Sequence, residues 1–271
     1  MVRFCGPHVA AGQGGGLDSV REAIRVATNV LTLPLNPNTT FEQMERQEAL
    51  KAECIAALES LSKNSSLWSS ISTEALPAVV RYLDFNSGPA NPQTQSTRAA
   101  ALRAILQIVQ VPSHAVAAAD VGIADALGNI LKSRRVGGGG TEEMDDPVPM
   151  LALEVLHVIA SNEQARRRAR FLDVGLVRAI GNAMGKSTTY KARKPSDSRA
   201  DVTFLGLEIL YSVLADVQAE GETAVVLQSP RAAAMLTAIS SEPLFVRALC
   251  STLLIKTDMK IPLHDDDDQT G

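Results

Sequence analysis

Apolar positions along this chain recur at the 3.6-residue spacing of helices rather than in the alternation of strands. Polar stretches bearing Gly and Pro divide them. A first helix is predicted over 19–31, with cap side chains at Asp18 and Ser19 and a stop at Pro34 and Pro37. A second spans 40–62, its residues Ile55, Leu58 and Leu61 at helical spacing. A short helix with Leu67, Trp68 and Ile71 precedes one over 76–83, where Pro77 is tolerable in a first turn.

The stretch 97–133 is the clearest unit: a long apolar helix, a short helix, a turn at Gly122 and another helix. The same order returns downstream. A long helix carries Leu151, Leu153, Val155, Leu156, Val158 and Ile159, a short basic helix spans 163–172, and a second helix spans 174–184. A fourth unit opens over 204–214, and a last long helix is predicted over 244–255. Loops are expected at 84–96, 134–148 and 186–199.

Aligning the long helices on one small residue gives Ala23, Cys54, Ala101, Ala152, Gly206 and Ala248, at intervals of 31, 47, 51, 54 and 42. The last four intervals sit at or just above the span of helical repeats built from two or three helices, with the loops supplying the excess. The first is too short for a whole unit, so the N-terminal helix is expected to be the remnant of one. A single unit cannot bury its own apolar face; stacking neighbours builds a continuous core and a concave groove.

Composition agrees with close-packed helices: 45% hydrophobic residues, only 4% aromatic. Residues 1–17, Gly-rich and without an apolar signal core, are expected to be disordered. Residues 18–258 form the repeat domain and 259–271 a disordered acidic tail. Asp265 to Asp268 match the whole net charge of −4, so the rest is near neutral and offers no bulk field for nucleic acid. Three dispersed cysteines with no CxxC pair fit a reducing, cytoplasmic setting. No run reaches the length of a membrane span.

The pattern of a short helix, then "GIADALGNILKS" or "VGLVRAIGNAMGKS", then "RAAALRAILQIV" resembles the three-helix armadillo repeat; the two-helix HEAT repeat is the close competitor. The resemblance covers 19–257 and implies an all-α fold, a right-handed α-solenoid in the form of an armadillo-like superhelix. In armadillo repeats that bind extended basic peptides, the third helix resembles "EAxWALSNIA". The Trp place here holds Arg25, Ala56, Arg103, Glu154, Glu208 and Cys250; the Asn place holds Asn29, Ser60, Gln107, Val158, Ser212 and Leu254. With that ladder gone, nuclear-import cargo is disfavoured.

What replaces the ladder is a mixed set, Arg103, Gln107, Glu154, His157, Glu208 and Tyr211, expected to line the concave face and to receive a peptide or a folded domain. A basic patch is expected from Arg166, Arg167, Arg168 and Arg170 with Lys191, Arg193 and Lys194, suited to an acidic partner or phospholipid surface. The paired Gly128-Asn129 and Gly181-Asn182 are read as points of close helix approach, and Trp68 as core. No GxSxG, GxxxxGK[ST] or HExxH occurs, and the four histidines pair with nothing at metal-ligand spacing, so neither an enzyme nor a cofactor or metal site is expected.

At a fainter level, "VLHVIASNEQARRRARFLDVGLVRAIGNAM" and "RADVTFLGLEILYSVLADV" look similar to the armadillo-like C-terminal region of the large endosomal J-domain proteins of the receptor-mediated-endocytosis type. That similarity implies a scaffold in endosomal trafficking with Hsp70 partners, peripheral on endosomes; the His-Pro-Asp motif of the J-domain itself is absent. Two other classes stand beside it. One is an Hsp70 nucleotide-exchange regulator that clasps a folded lobe, and the other is a membrane-surface adaptor using the basic patch.

Overall fold

A computed structural model describes residues 15–34, 40–86, 92–133, 147–169, 171, 174–187, 205–210 and 212. Among these, secondary structure is helical throughout. Helix α1 (Gly15–Thr32) is followed by α2 (Phe41–Ser62). A 3₁₀ turn (Ser65–Leu67), α3 (Trp68–Ser70), a π segment (Ile71–Ala75) and α4 (Leu76–Phe85) then run on without a break. Next come α5 (Pro92–Ile108), α6 (Pro112–Asp120), α7 (Ile123–Ser133), α8 (Val148–Ser161), α9 (Glu163–Arg168) and α10 (Val174–Ser187). A further helical segment occupies 205–210.

Several boundaries differ from expectation for local reasons. The loop expected at 84–96 is helical at both ends. Asn86 extends α4 by donating both its backbone N–H and its side-chain amide to the Tyr82 carbonyl. Pro92 opens α5, because a first-turn residue has no intrahelical use for an N–H. Helix α1 begins at Gly15, inside the stretch expected to be disordered, and Asp18 lies in its first turn, where a carboxylate complements the helix dipole. The basic short helix ends at Arg168 rather than 172. Helix α10 runs through Ser187, into the expected loop at 186–199. The remainder of that loop, 134–146, the helix expected at 244–255 and the acidic tail lie outside the described residues.

Pro77 explains the π segment. Its ring has no N–H to give and crowds the carbonyl four residues back, so the turn before it widens instead of breaking. The first unit therefore fuses its short and second helices, whereas the next unit separates them at Gly122, whose φ is +84°. A Cβ there would meet nothing closer than an Asp125 carboxylate oxygen at 4.0 Å. The requirement is thus backbone conformation alone. Gly122→Ala is expected to cost about 1–2 kcal/mol, read from the midpoint of urea unfolding.

The packing repeats with the chain. Long helices α2, α5 and α8 lie side by side in order; second helices α4, α7 and α10 do the same; the π segment, α6 and α9 form a third row. Each helix thus packs on its counterpart one unit later. The sequence alignment fixes the same places in space. Ten residues after Cys54, Ala101 and Ala152 stand Asn64, Val111 and Asn162, the caps that start each unit's short helical turn. Asn64 and Asn162 accept backbone N–H bonds with their side chains, while after Val111 a proline stands in the first turn.

Helix α1 packs across α2, α4 and the π segment, the place a preceding unit would take. Ile24, Ala27 and Leu31 form its buried stripe. Its outer face carries the exposed ion pairs Arg21–Asp18 and Arg25–Glu22. The core is continuous from this helix to Leu205, Ile209 and Leu210.

Gly128 marks a close approach between two of the second helices. A Cβ on it would stand 3.1 Å from Leu176 Cδ1 and 3.9 Å from Leu176 Cα, so α7 and α10 meet where a side chain is missing. Asn129 is used within the chain: its amide donates to Asp84 Oδ1 at 2.9 Å, tying α7 to α4. Trp68 is half-buried against the core, as expected, and its indole N–H donates to the Ser62 carbonyl.

Candidate functional site

The row of long helices carries the residues expected on the groove. Arg103 on α5 is exposed and donates to Glu59 on α2, from Nε at 2.6 Å and from an Nη at 3.4 Å. His157 on α8 faces Glu208 in the 205–210 segment, Nε2 to Oε2 at 2.8 Å. The two pairs use the same places: Glu59 and His157 stand five residues after the aligned small residue of their helices, and Arg103 and Glu208 stand two after that of the next. One site thus recurs at both ends of the row, with the carboxylate on the earlier helix in one pair and on the later helix in the other. Gln107 is exposed on α5 and Glu154 is half-buried on α8. Tyr211 lies outside the described residues.

The charges on this face are therefore largely met by the chain itself. The same helices also carry Leu106 and Val158, partly buried against the core, the half-buried Glu154 and the exposed amide of Gln107. That arrangement suits hydrogen bonding and apolar contact more than attraction of a strongly charged segment.

The arginines of α9 are also engaged within the chain. Arg166 donates to the Ala160 carbonyl and Arg167 pairs with Glu163 one turn back. Arg168 reaches Asp120 on α6 at 2.7 and 2.9 Å, and the hydrogen bond and charge of Asp120 push its guanidinium further up. Arg167 and Arg168 keep about half of their side-chain surface in water, 51% and 57%. Exposed pairs of this kind hold geometry more than they stabilise. Arg170, Lys191, Arg193 and Lys194 lie outside the described residues.

Sequence reading missed the acceptors that complete these contacts: Glu59, Asp120, Asp84 and the Pro112 carbonyl, which takes the Asn162 amide at 3.4 Å. A signal existed. These four contacts span 44, 48, 45 and 50 residues, one repeat each, so pairing side chains one period apart would have found them.

A second polar group lies inside, where α2, α4 and α5 meet. Lys51, Tyr82, Thr97 and Arg98 are each at most 5% exposed. Lys51 donates to Glu48 at 3.1 Å, which meets the need of a buried ammonium for a counter-charge. Burial first, then the Glu48 carboxylate, pushes the Tyr82 hydroxyl up to about 12, against the opposing effects of Arg98 and a hydrogen bond with Thr97. Burial, then Glu53, also raises the Cys54 thiol. The unfolded chain ionises Tyr82 near its ordinary 10.0, before the folded chain does. The resulting stability is full below that pH and is lost as pH rises from 10 toward 12. Alkaline titration followed by circular dichroism should show a loss of about 2 kcal/mol over that window, much reduced in Tyr82→Phe.

Among the described residues no group of three or more His, Cys, Asp or Glu is placed to hold a metal ion, and no helix is long and apolar enough to cross a membrane. No family model, curated protein or solved structure matches the chain.

Proposed function

We propose that this chain is a non-catalytic protein-interaction scaffold, an armadillo-like right-handed α-solenoid whose row of long helices lines the face that receives a partner. The observation that carries the reading is the recurrence of one inter-helix site, Glu59–Arg103 and His157–Glu208, along successive long helices. Three rows of counterpart helices support it, because each unit contributes three elements in the same order. The chain's own pairing of charges on that row favours a peptide or folded domain held by hydrogen bonds and apolar contact over a polybasic segment.

The setting rests on the resemblance of the last two units to the endosomal J-domain proteins, which gives endosomal trafficking with an Hsp70-type partner. The nucleotide-exchange reading uses the same face and is separated from it by the partner recovered. The membrane-adaptor reading draws less support, since Arg166, Arg167 and Arg168 are each engaged within the chain.

Ser60 and Gln107 occupy the same place on α2 and α5, and both are exposed. Partners recovered on the full chain, identified by mass spectrometry, are expected to be lost on Ser60→Arg/Gln107→Arg while its thermal unfolding stays unchanged. An identical partner set on the two proteins would refute the groove reading.

A further inference from the structure

Four large apolar side chains stand in water at one end of the first unit. Leu33 is 50% exposed, Phe41 71%, Met44 36% and Phe85 70%. Their placement follows from contacts one turn deeper. The Leu33 carbonyl accepts from Gln47 of α2 at 3.3 Å, so the end of α1 meets the start of α2. Helices α2 and α4 both pack on α1, and Tyr82 of α4 lies near Glu48 of α2, so Phe85, one turn beyond Tyr82, stands at the same end. Every residue from Phe41 to Arg46 is exposed; the first turns of α2 project past the core.

This projection is held by local bonds although it buries little. Thr40 and Gln43 close a full capping box, the Gln43 N–H to Thr40 Oγ1 at 3.4 Å and the Thr40 N–H to Gln43 Oε1 at 3.0 Å. Arg46 pairs with Glu42 one turn back at 2.5 Å. Without a packed face, a helix start depends on such local bonds to stay formed. Pre-ordering lowers the entropic cost of presenting Phe41 to another surface.

The charges select the occupant. Phe41, Met44, Glu45 and Glu48 follow one another at helical spacing and share one face, whereas Glu42 and Arg46 lie on the other. Lys51, the next cation along that face, is buried and given to Glu48. Asp84 stands next to Phe85. An apolar face edged by carboxylates repels an anionic membrane, and two copies meeting across it would set Glu45 near its own counterpart.

We infer that this end of the first unit, Leu33, Phe41, Met44 and Phe85 edged by Glu45, docks a segment of a partner protein bearing an apolar side chain flanked by lysine or arginine. The surface is separate from the groove of the long helices, so either can fail without the other.

The probe is a synthetic amphipathic peptide of leucine and lysine, with a leucine–glutamate peptide of the same pattern as control, titrated against the full chain by fluorescence anisotropy. The leucine–lysine peptide is expected to bind more tightly. Phe41→Ser and Phe85→Ser should each weaken it about tenfold with unchanged thermal unfolding, since both rings are exposed. Glu45→Lys should shift preference toward the glutamate peptide. Equal binding of the two peptides, or binding indifferent to both phenylalanine variants, would overturn the assignment. So would a concentration-dependent dimer in sedimentation, or flotation with anionic phosphatidylserine vesicles, if removed by Phe41→Ser: these would give the face to a second copy or to lipid.

Discussion

Leu153→Ala is expected to lower the stability of the chain by about 3–4 kcal/mol, among the largest losses open to a single substitution here. Leu153 has no exposed surface and sits in α8. That helix packs against α5 of the preceding unit as well as α6, α7 and α9. Truncation removes the transfer free energy of the lost methyl groups and leaves a void that neighbours fixed on several sides cannot close. Chain position adds a second consequence. His157 on the same helix holds Glu208, so loosening α8 also loosens the attachment of the 205–210 segment. Urea unfolding followed by circular dichroism should show the lower midpoint. Hydrogen exchange should show protection lost first across α8 to α10, because stacked units unfold in neighbouring blocks. A loss below about 1 kcal/mol would mean that the units around α8 do not pack as described.

Gly128→Leu should cost about 2–3 kcal/mol, through the opposite fault of overpacking. Its first added atom already stands 3.1 Å from Leu176 Cδ1, and the atoms beyond it must displace α10 or leave their rotamer. Gly128→Ala is the informative control. The clashing atom is the end of a flexible side chain, and alanine recovers roughly 1 kcal/mol of helix propensity, so the change should be close to neutral. A double variant, Gly128→Leu with Leu176→Ala, should regain part of the loss by clearing the same space. The coupling, read from a double-mutant cycle of denaturation midpoints, separates a local clash from a general effect on helix α7.

Much of the helical order is legible without coordinates. Apolar spacing marks α2, α5, α7, α8 and α10, because each hides a broad apolar face and helical periodicity makes such a face visible in one dimension. Prolines mislead at one boundary and inform at another. Pro92 reads as part of a loop yet starts α5, since a proline in a first turn and one in a loop differ only in the conformation of the residues after them. Pro77 reads correctly as a first-turn residue, but the π segment before it leaves no mark in the pattern. A widened turn depends on which carbonyls find donors, not on polarity.

The groove residues are legible as positions and not as roles. Arg103 and His157 read as free side chains awaiting a partner, and each already has one in the neighbouring unit. The aligned small residues, from Cys54 to Gly206, are enough to set the helix register, because a close-packed row admits small side chains at regular places. From sequence alone come the helical class, the repeated unit, and Gly122 and Gly128 as special points. Which residues meet across units is decided by tertiary structure alone: Glu59 with Arg103, Asp120 with Arg168, Asn129 with Asp84, and Tyr82 with Thr97 in the interior. Periodicity reports the face of one helix. Pairing depends on how far that helix slides and turns against the next, a displacement fixed by the whole packed row.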